Sequence, residues 1–563
     1  MKSKKWICLL LTLIMIFSSG LVGSVKEKET IDKEQYLNIR MSYPRTFDCQ
    51  KATDKSSAQV LTMTMDGLTK LMNDGRVDNI SPALAEKWEM SKDGKVWTFH
   101  LRNAKWTDGK PVTADQFVYA WTRLLDPKNG FGYASFLFDV VGAEEFCAGK
   151  GKIEDIGIKA INDKTLQVTL KSPTPYFIQI TAFKNLSPTR KDIVEKLGDT
   201  YGTDPLEMPT TGAFTIKKFS IGEKNPSHWD AVKVKLEKNT NYWDANKVKL
   251  DKINILFIDD EASAHQIFEA KKIDLITANN FYAEKYLKLA EEGKMDKTIV
   301  YEPATFYMTY NCKTGGSSKI LKNPKVRLAF SLALDREDYV KNIFKKGYPA
   351  EGFIPQGIMI GDKEYRKEAP EPLKKLIDNK LNIKALFKEG LHELGMDPNV
   401  QYTVKYLDTG TDSLSKSQQE WFKFQWEKAL GVKIEFDICK DAQEYWDKVD
   451  NTDYDICTYG WIGDFNDPDT YLNLFVTKNF NNPGQWSNAK YDELYKKSKE
   501  TVNNDERLKY FKEMEQILLI NDCCIAPLFY SDRKEFRHNY VKGVMYTVFG
   551  SIDYTYAYTS GRK

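Results

Sequence analysis

The sequence predicts an α/β protein that is built from more than one domain. In the second half, amphipathic helical patterns at residues 381–394 and 413–430 are each followed by a strand pattern, at 400–406 and 432–438, and this alternation is typical of α/β folds. The chain has 563 residues, which exceeds what one hydrophobic core usually organises. No polar linker divides it, so we expect domains that are joined by several crossing segments.

The first half is richer in strands, and Asp-Gly pairs mark turns between them. Residues 96–101 alternate between two faces as a strand does. A capping box at residues 113–116 predicts the start of a helix. Phe117, Trp121 and Leu124 are spaced to form the buried face of that helix.

The first 24 residues have the layout of a secretory signal peptide. Lysines precede an apolar run at residues 6–17, small residues follow it, and the run is too short to span a bilayer as a helix. Residues 21–23 look like the box that precedes the lipidated cysteine of bacterial lipoproteins, but Ser24 occupies the cysteine position. We therefore expect an exported protein of the cell envelope, periplasm or extracellular space, and a lipid anchor is doubtful because a serine cannot form the thioether.

Composition and motifs argue against several classes of function. The net charge is +3 with both signs interspersed, so no concentrated basic face for nucleic acid is indicated. The sequence contains no phosphate-binding loop, nucleophile elbow or complete zinc-protease motif. The cysteines that follow the signal peptide are irregularly spaced and include no Cys-x-x-Cys pair, which favours neither a disulfide framework nor a zinc site. We expect a protein that is not an enzyme, with no catalytic residue, metal or cofactor.

Four sequence blocks carry a resemblance to a known family. The first, at residues 82–114, contains Pro-Ala-Leu-Ala-Glu-Lys-Trp-Glu, Asp-Gly-Lys-Val-Trp-Thr-Phe-His-Leu-Arg and Trp-Thr-Asp-Gly-Lys-Pro-Val-Thr-Ala. The others lie at 236–253, 323–337 and 460–468, and the last reads Gly-Trp-Ile-Gly-Asp-Phe-Asn-Asp-Pro. In this order they resemble the oligopeptide- and dipeptide-binding proteins of ABC importers (extracellular solute-binding protein family 5), over nearly all of the mature chain.

The resemblance implies a two-lobed, periplasmic-binding-protein-like fold of type II with an extra domain inserted in the first lobe. It places lobe I at residues 25–75, 205–300 and 520–563, the additional domain at 76–204, and lobe II at 301–519. The implied function is capture of oligopeptides in a closing cleft between the lobes, followed by delivery to the membrane permease subunits of an ABC importer. The expected ligand is a peptide, and the protein is expected to be a monomer that does not bind nucleic acid.

The fourth block supplies the main peptide-binding residues that the resemblance implies. In peptide binders of this family an aspartate of the motif holds the ligand's ammonium terminus, and here that residue is Asp464. A carboxylate enclosed in a cleft is costly unless such a partner neutralises it. Tyr459, Gly460 and Trp461 would form the strand edge that meets the peptide. The remaining implied contacts are Thr53, Asp54, Lys55, Tyr133, Tyr307, Asn481 and Asn482.

Several alternatives stay open at this point. The same fold could bind another solute (nickel, haem, a sugar or a cell-wall peptide) or act as a receptor for peptide signals, and a secreted hydrolase is a remote alternative. Asp464 could be a turn or cap residue, and Tyr133 and Tyr307 could be core residues. Thr458 and Ala442 stand where some relatives carry an arginine and a tryptophan, so a fixed cationic partner for the peptide carboxylate is not implied.

Overall fold

A computed structural model of the protein describes residues 30–73, 78–220, 234–549 and 551–562. The predicted signal peptide, with Ser24, lies outside the described residues. Helices and strands are mixed along the chain, and the strands form several sheets. This confirms the predicted α/β class. Within the described ranges, no helix is long and apolar enough to cross a membrane.

The strands are mostly short, and two long ones stand out in the second half. In chain order they are β1 (Tyr36–Met41), β2 (Thr69–Asn73), β3 (Asp78–Pro82), β4 (Ala85–Met90), β5 (Val96–Leu101), β6 (Ile158–Asn162), β7 (Thr165–Thr169), β8 (Phe214–Phe219), β9 (Val234–Lys238), β10 (Lys252–Phe257), β11 (Leu275–Ala278), β12 (Asp296–Tyr310), β13 (Tyr348–Pro349), β14 (Met359–Ile360), β15 (Lys363–Glu364), β16 (Thr403–Asp408), β17 (Lys433–Ile438), β18 (Ile456–Ile462), β19 (Ile525–Arg537), β20 (Val541–Lys542), β21 (Met545–Tyr546), β22 (Ile552–Asp553) and β23 (Tyr558–Thr559).

The α-helices range from single turns to five turns. In chain order they are α1 (Lys55–Thr64), α2 (Ala114–Leu125), α3 (Ala143–Cys147), α4 (Phe177–Ile180), α5 (Lys191–Leu197), α6 (Glu261–Glu269), α7 (Asn280–Glu291), α8 (Pro324–Leu332), α9 (Arg336–Asp338), α10 (Tyr365–Glu368), α11 (Lys374–Asp378), α12 (Ile383–Glu393), α13 (Ser413–Leu430), α14 (Ala442–Asp450), α15 (Asp469–Leu472), α16 (Ala489–Lys499) and α17 (Asn504–Gln516).

A four-stranded sheet with the order β1-β10-β9-β8 organises the first lobe. β1 lies parallel to β10, whereas β9 is antiparallel to both of its neighbours. Successive strand residues point to opposite faces of a sheet, so Leu37 and Ile39 of β1 both enter the core. There they pack in one cluster with Phe214 and Leu236 of the neighbouring strands.

A second four-stranded sheet, with the order β4-β5-β7-β6, forms the additional domain with helix α2. The predicted capping box is present, because the backbone N–H of Thr113 donates to Gln116 Oε1 at 3.2 Å. Phe117, Trp121 and Leu124 are buried on one face of the helix, as their spacing predicts. The same core cluster includes Leu61 and Leu68, so this sheet and helix pack directly against the segment that contains α1.

The largest sheet has the order β11-β19-β12-β18-β16-β17 and extends through the second lobe. Its β16, β17 and β18 are parallel to one another where they pair, and helices α13 and α14 connect them, as the sequence predicts. β12 and β19 are antiparallel neighbours of 15 and 13 residues. Their register shifts between Tyr301 and Thr305, where Pro303 has no N–H for the ladder.

The long strands alter one predicted domain boundary. The sequence prediction assigns residues 520–563 entirely to lobe I, but Cys523, Ala526 and Phe529 pack in the lobe II core with Val326. The physical reason is that β19 is continuous and pairs with β12 on both sides of the register shift. The chain therefore crosses between the lobes inside β12 and β19, and the other domain boundaries stay predictions.

Candidate functional site

A cleft of about 410 Å³ lies between elements of both lobes and the additional domain. Its walls come from the start of α1, β2, the register shift in β12, the loop after β18 and the C-terminal segment. Five of the residues that the sequence predicts for the site line it, namely Thr53, Asp54, Lys55, Tyr133 and Asp464. The cleft is therefore assembled from segments that are far apart in sequence.

Asp464 lies in the loop that follows β18, and the structure fixes the backbone of this loop. The Asp464 N–H donates to Thr470 Oγ1 at 3.0 Å, and the Gly463 N–H donates to the carbonyl of Pro303 at 2.7 Å. The carboxylate itself has no hydrogen bond or ion pair with any residue that the structure describes. Burial raises the pKa of Asp464 to about 6, because a carboxylate removed from water is disfavoured in its charged form.

The residues just after Asp464 hold the loop in place through contacts with two other parts of the chain. Arg507 binds Asp467 in a two-pronged ion pair, with N···O distances of 2.7 and 2.9 Å. Phe465 stacks on Tyr176 of the additional domain with ring centroids 4.5 Å apart. The loop is thus held by lobe II on one side and by the additional domain on the other, which leaves the Asp464 side chain free to face the cleft.

The strand that leads to Asp464 has an open edge. β18 pairs with β12 from Ile456 to Ile462, but it pairs with β16 only at Ile456 and Cys457. On that second side, no described strand pairs with residues 459–462. At Gly460 an added Cβ would lie 2.7 Å from the ring of Phe306, so the glycine allows this cross-strand neighbour to pack. An extended ligand could therefore pair with the free backbone groups.

Tyr459 and Trp461 lie on this strand but outside the main cleft. Tyr459 lines a second cavity, of about 380 Å³, together with Asn482. Trp461 packs partly against the lobe II core, and its Nε1 is buried with no hydrogen-bond partner among the described residues. The Asn482 side-chain amide donates to the carbonyl of Trp486 at 2.7 Å. Their contact with a peptide therefore stays a prediction, and the Asn482 side chain holds a local turn.

Asn481 has a local role in the structure. Its backbone N–H donates to Asn479 Oδ1 at 2.9 Å, which is the pattern of an Asx turn. It does not line either of the two cavities described above. Its contact with a peptide therefore stays a prediction without support from this geometry.

The facing wall of the cleft begins at helix α1. Asp54 caps this helix, since its Oδ1 accepts the N–H of Ser57 at 2.9 Å. Its Oδ2 is buried without a partner among the residues that the structure describes. Thr53 and Lys55 flank it and are exposed. Tyr133 lines the cleft together with Asp464, and burial and the charge of Asp464 both raise the pKa of its hydroxyl.

Tyr307 does not lie in the cleft, contrary to the sequence prediction. It is fully buried, and its ring packs against Phe353 and Phe475 with centroids 5.3 and 6.2 Å away. It is paired with Tyr459 across the β12–β18 ladder, and its side chain points to the core face of that sheet. Its strand position therefore makes it a packing residue.

Several cleft residues were not predicted from the sequence. They come from β2, the additional domain, the β12 register shift, the end of β18 and the C-terminal segment, and include Lys70, Phe183, Lys184, Glu302, Ile462 and Phe549. No motif marks them, because each is local in sequence and only the fold brings them together. In the described part of the chain, no group of three or more His, Cys, Asp or Glu side chains could hold a metal ion.

Comparison with known proteins places this geometry in a family. Residues 79–483 match the bacterial extracellular solute-binding proteins, family 5. The oligopeptide-binding protein OppA of Bacillus subtilis is 31% identical, over 99% of each chain. Among solved structures, the periplasmic murein tripeptide-binding protein MppA in its unliganded open form superposes with a TM-score of 0.80 at 27% identity, covering 95% of this chain and 99% of MppA.

A second solved structure is similar in sequence but superposes less well. It is OppA of Listeria monocytogenes bound to peptide, with 30% identity, coverage of 94% of this chain and all of that one, and a TM-score of 0.66. These relatives share the two-lobed type II fold, so that fold prediction is confirmed. The family match covers more than half of the chain, and the chain belongs to family 5 of the bacterial extracellular solute-binding proteins.

Proposed function

We propose that this protein captures oligopeptides outside the cytoplasm and delivers them to the permease subunits of an ABC importer. One observation carries the proposal. Asp464 lies in the cleft with no partner for its carboxylate among the described residues, and it follows a strand whose outer edge no described strand covers at residues 459–462. This arrangement can hold an ammonium terminus and the main chain of an extended peptide together.

The Asp464 carboxylate and the open edge of β18 complement the two constant features of a peptide, its ammonium terminus and its main chain. An ammonium group forms a short, charge-assisted hydrogen bond with a carboxylate, and it compensates the cost of burying that carboxylate. Main-chain pairing along residues 459–462 is the same for every peptide sequence. Because a strand rises about 3.3 Å per residue, these four residues match about four residues of peptide. The site would therefore select for a free amino terminus and tolerate many side chains.

The arrangement of the lobes supports a cleft that is ready to receive ligand. The TM-score is 0.80 against the unliganded open form of MppA and 0.66 against peptide-bound OppA, at similar coverage. We infer that the lobes are apart here and that they close by bending near Tyr301–Thr305 of β12, where the pairing with β19 shifts. The Pro303 carbonyl accepts the N–H of Gly463, which links the bend to the Asp464 loop.

The finer parts of the proposal follow the same reasoning. The protein would act as an exported monomer and would bind without chemical conversion of the ligand. Lobe I, with the additional domain at residues 76–204 packed on it, would move relative to lobe II. Asp464, Tyr133, Thr53, Asp54 and Lys55 would contact the first residues of the peptide. Thr458 supplies no cation, so we expect no fixed partner for the peptide carboxylate at that position.

Thermal unfolding of the purified protein tests the proposal. Pools of peptides two to ten residues long should raise the midpoint, because a ligand that binds only the folded state adds about 2.7 kcal/mol of stability at 100 times its Kd. Nickel, haem and sugars serve as rival solutes. Stabilisation by a rival solute while every peptide pool is inert would leave the fold in place and refute peptide capture.

Peptide affinity should depend on pH through Asp464. The ammonium group binds the ionised carboxylate, and burial raises the pKa of that carboxyl to about 6. Between pH 7 and pH 5 the ionised fraction falls from about nine-tenths to one-tenth, so affinity should fall about tenfold. Above about pH 8 it should fall again as the peptide amine loses its proton. Calorimetric titrations from pH 5 to pH 9 measure this profile.

Asp464→Asn provides the matched control for the pH profile. Because the amide does not titrate, the acidic limb should disappear in this variant, while the alkaline limb, which belongs to the peptide, should remain. An acidic limb of unchanged size in the variant would assign the titration to another group.

A further inference from the structure

Lys70 is a buried lysine in the wall of the same cleft. It lies on β2, only 6% of its surface is exposed, and it lines the cavity that Asp464 also lines. Buried lysines are uncommon unless they are paired. The contacts of the Lys70 ammonium group therefore indicate whether a protein carboxylate neutralises its positive charge.

The protein gives Lys70 one hydrogen bond and two aromatic neighbours. Its Nζ donates to the Tyr556 hydroxyl at 3.0 Å and lies 4.8 Å from the centroid of that ring and 5.2 Å from the Trp243 ring. Within the described residues, no carboxylate oxygen lies within 4.0 Å of Nζ. An ammonium group has three donors, so two of them are not used by described residues.

Asp66 and Asp244 each accept a hydrogen bond from one of the two aromatic neighbours of Lys70. Asp66 Oδ2 accepts the indole N–H of Trp243 at 2.8 Å. Asp244 Oδ2 accepts the Tyr556 hydroxyl at 2.6 Å and pairs with Lys247 at 3.3 Å. In each carboxylate, the Oδ2 atom is thus bonded to a residue other than Lys70.

Asp553, which lines the cleft together with Asp66, also accepts a hydrogen bond from another residue. Asp553 Oδ1 accepts the backbone N–H of Thr555 at 2.7 Å. Arg102 stacks over the Trp243 ring at 3.6 Å and adds positive charge on that side. Among the described residues, none of these carboxylates forms a direct ion pair with Lys70, so a ligand carboxylate can make that contact.

We propose that Lys70 binds a carboxylate of the captured peptide, from an acidic side chain or from the C-terminus. The inference rests on the proposed peptide function and specifies its substrate class. Aromatic rings around Lys70 exclude water, and an ion pair is stronger in such surroundings than on an exposed surface. With Asp464 at the ammonium terminus, the cleft presents opposite charges to two different groups of one ligand.

A small set of pentapeptides distinguishes the two sources of the carboxylate. The parent is penta-alanine with free termini. One series carries Glu at each position in turn with Gln as its neutral twin, and a second series compares the C-terminal carboxylate with the amide. The Kd of each peptide is measured by calorimetry for the wild-type protein, Lys70→Met and Lys70→Gln. Lys184→Met is the matched control, because Lys184 also lines the cleft but donates to the carbonyl of Met65 at 2.9 Å.

For the wild-type protein, we expect the Kd to rise at least tenfold when one carboxylate of the peptide is neutralised. The neutralised group is either a Glu replaced by Gln at one position or the C-terminal acid replaced by the amide, and the measured quantity is the ratio of the two Kd values. In both Lys70 variants this ratio should fall below about twofold, while Lys184→Met should keep it. Lys70→Gln retains a hydrogen-bond donor for the Tyr556 hydroxyl, so the Kd ratio can be measured with this variant even if Lys70→Met fails to fold.

Two other results would contradict the inference. The first would leave the proposed peptide capture intact, and the second would not. If neutral and acidic peptides bind the wild-type protein equally, or the ratio persists in the Lys70 variants, Lys70 is not the carboxylate site although peptide capture stands. If no peptide binds, the proposed function fails and this inference fails with it.

Discussion

Asp464→Asn should weaken the binding of a free-amine peptide about 100-fold at pH 7.5. The amide keeps the size of the side chain but removes the charge that holds the ammonium group, and loss of one partner of a buried charge pair costs on the order of 2–5 kcal/mol. Calorimetric Kd values for wild type and variant measure the effect. Because burial raises the Asp464 pKa, its ionised form disfavours folding above that pKa, so the unliganded variant should be no less stable at this pH.

Asp66→Asn is the matched control for this experiment. It also removes one carboxylate from the cleft wall, while its amide oxygen can still accept the Trp243 N–H. Its effect on the Kd should be small. If Asp66→Asn abolished binding and Asp464→Asn did not, the ammonium anchor would have to be reassigned to the facing wall.

Arg507→Met should cost about 3–5 kcal/mol of folding stability. The Arg507 and Asp467 side chains are only 1% and 3% exposed and form a bidentate pair at 2.7 and 2.9 Å. Removing the guanidinium leaves the Asp467 carboxylate buried without its counter-charge. Urea unfolding followed by tryptophan fluorescence should show a large fall in the midpoint.

Two further variants sharpen this prediction. Arg507→Met with Asp467→Leu removes both charges and should recover much of the lost stability, since replacing a whole buried pair is far less costly than breaking it. Lys497→Met breaks the exposed pair with Glu493 (2.7 Å) and should have little effect. Equal midpoints for Arg507→Met and Lys497→Met would show that the buried pair does not hold the Asp464 loop.

The sequence predicted those parts of the fold that local patterns determine. The capping box at Thr113 and the spacing of Phe117 and Trp121 located α2, because both signals act within a few turns of helix. The strand and helix alternation of the second half was found for the same reason. The length of β12 was not foreseen, since it contains Pro303 and its pairing with β19 joins segments more than 200 residues apart.

Residues that line the cleft could be anticipated where a contiguous motif contains them, but not where only the fold brings them together. Asp464 follows β18 within one block, so its place in the cleft could be anticipated from the resemblance. Tyr307 was misplaced because residue type does not tell which face of a strand points to the core. Lys70 has no sequence signal, since its aromatic neighbours Trp243 and Tyr556 come from distant segments.

Titration of the wild-type protein with one peptide and its N-acetylated twin at pH 7.5 tests the central claim most directly. Acetylation removes the positive charge of the amino terminus and leaves the side chains and most main-chain groups unchanged. Ammonium capture at Asp464 predicts that the free peptide binds and that the acetylated peptide binds about 100-fold more weakly. Equal affinity for the two peptides would contradict it.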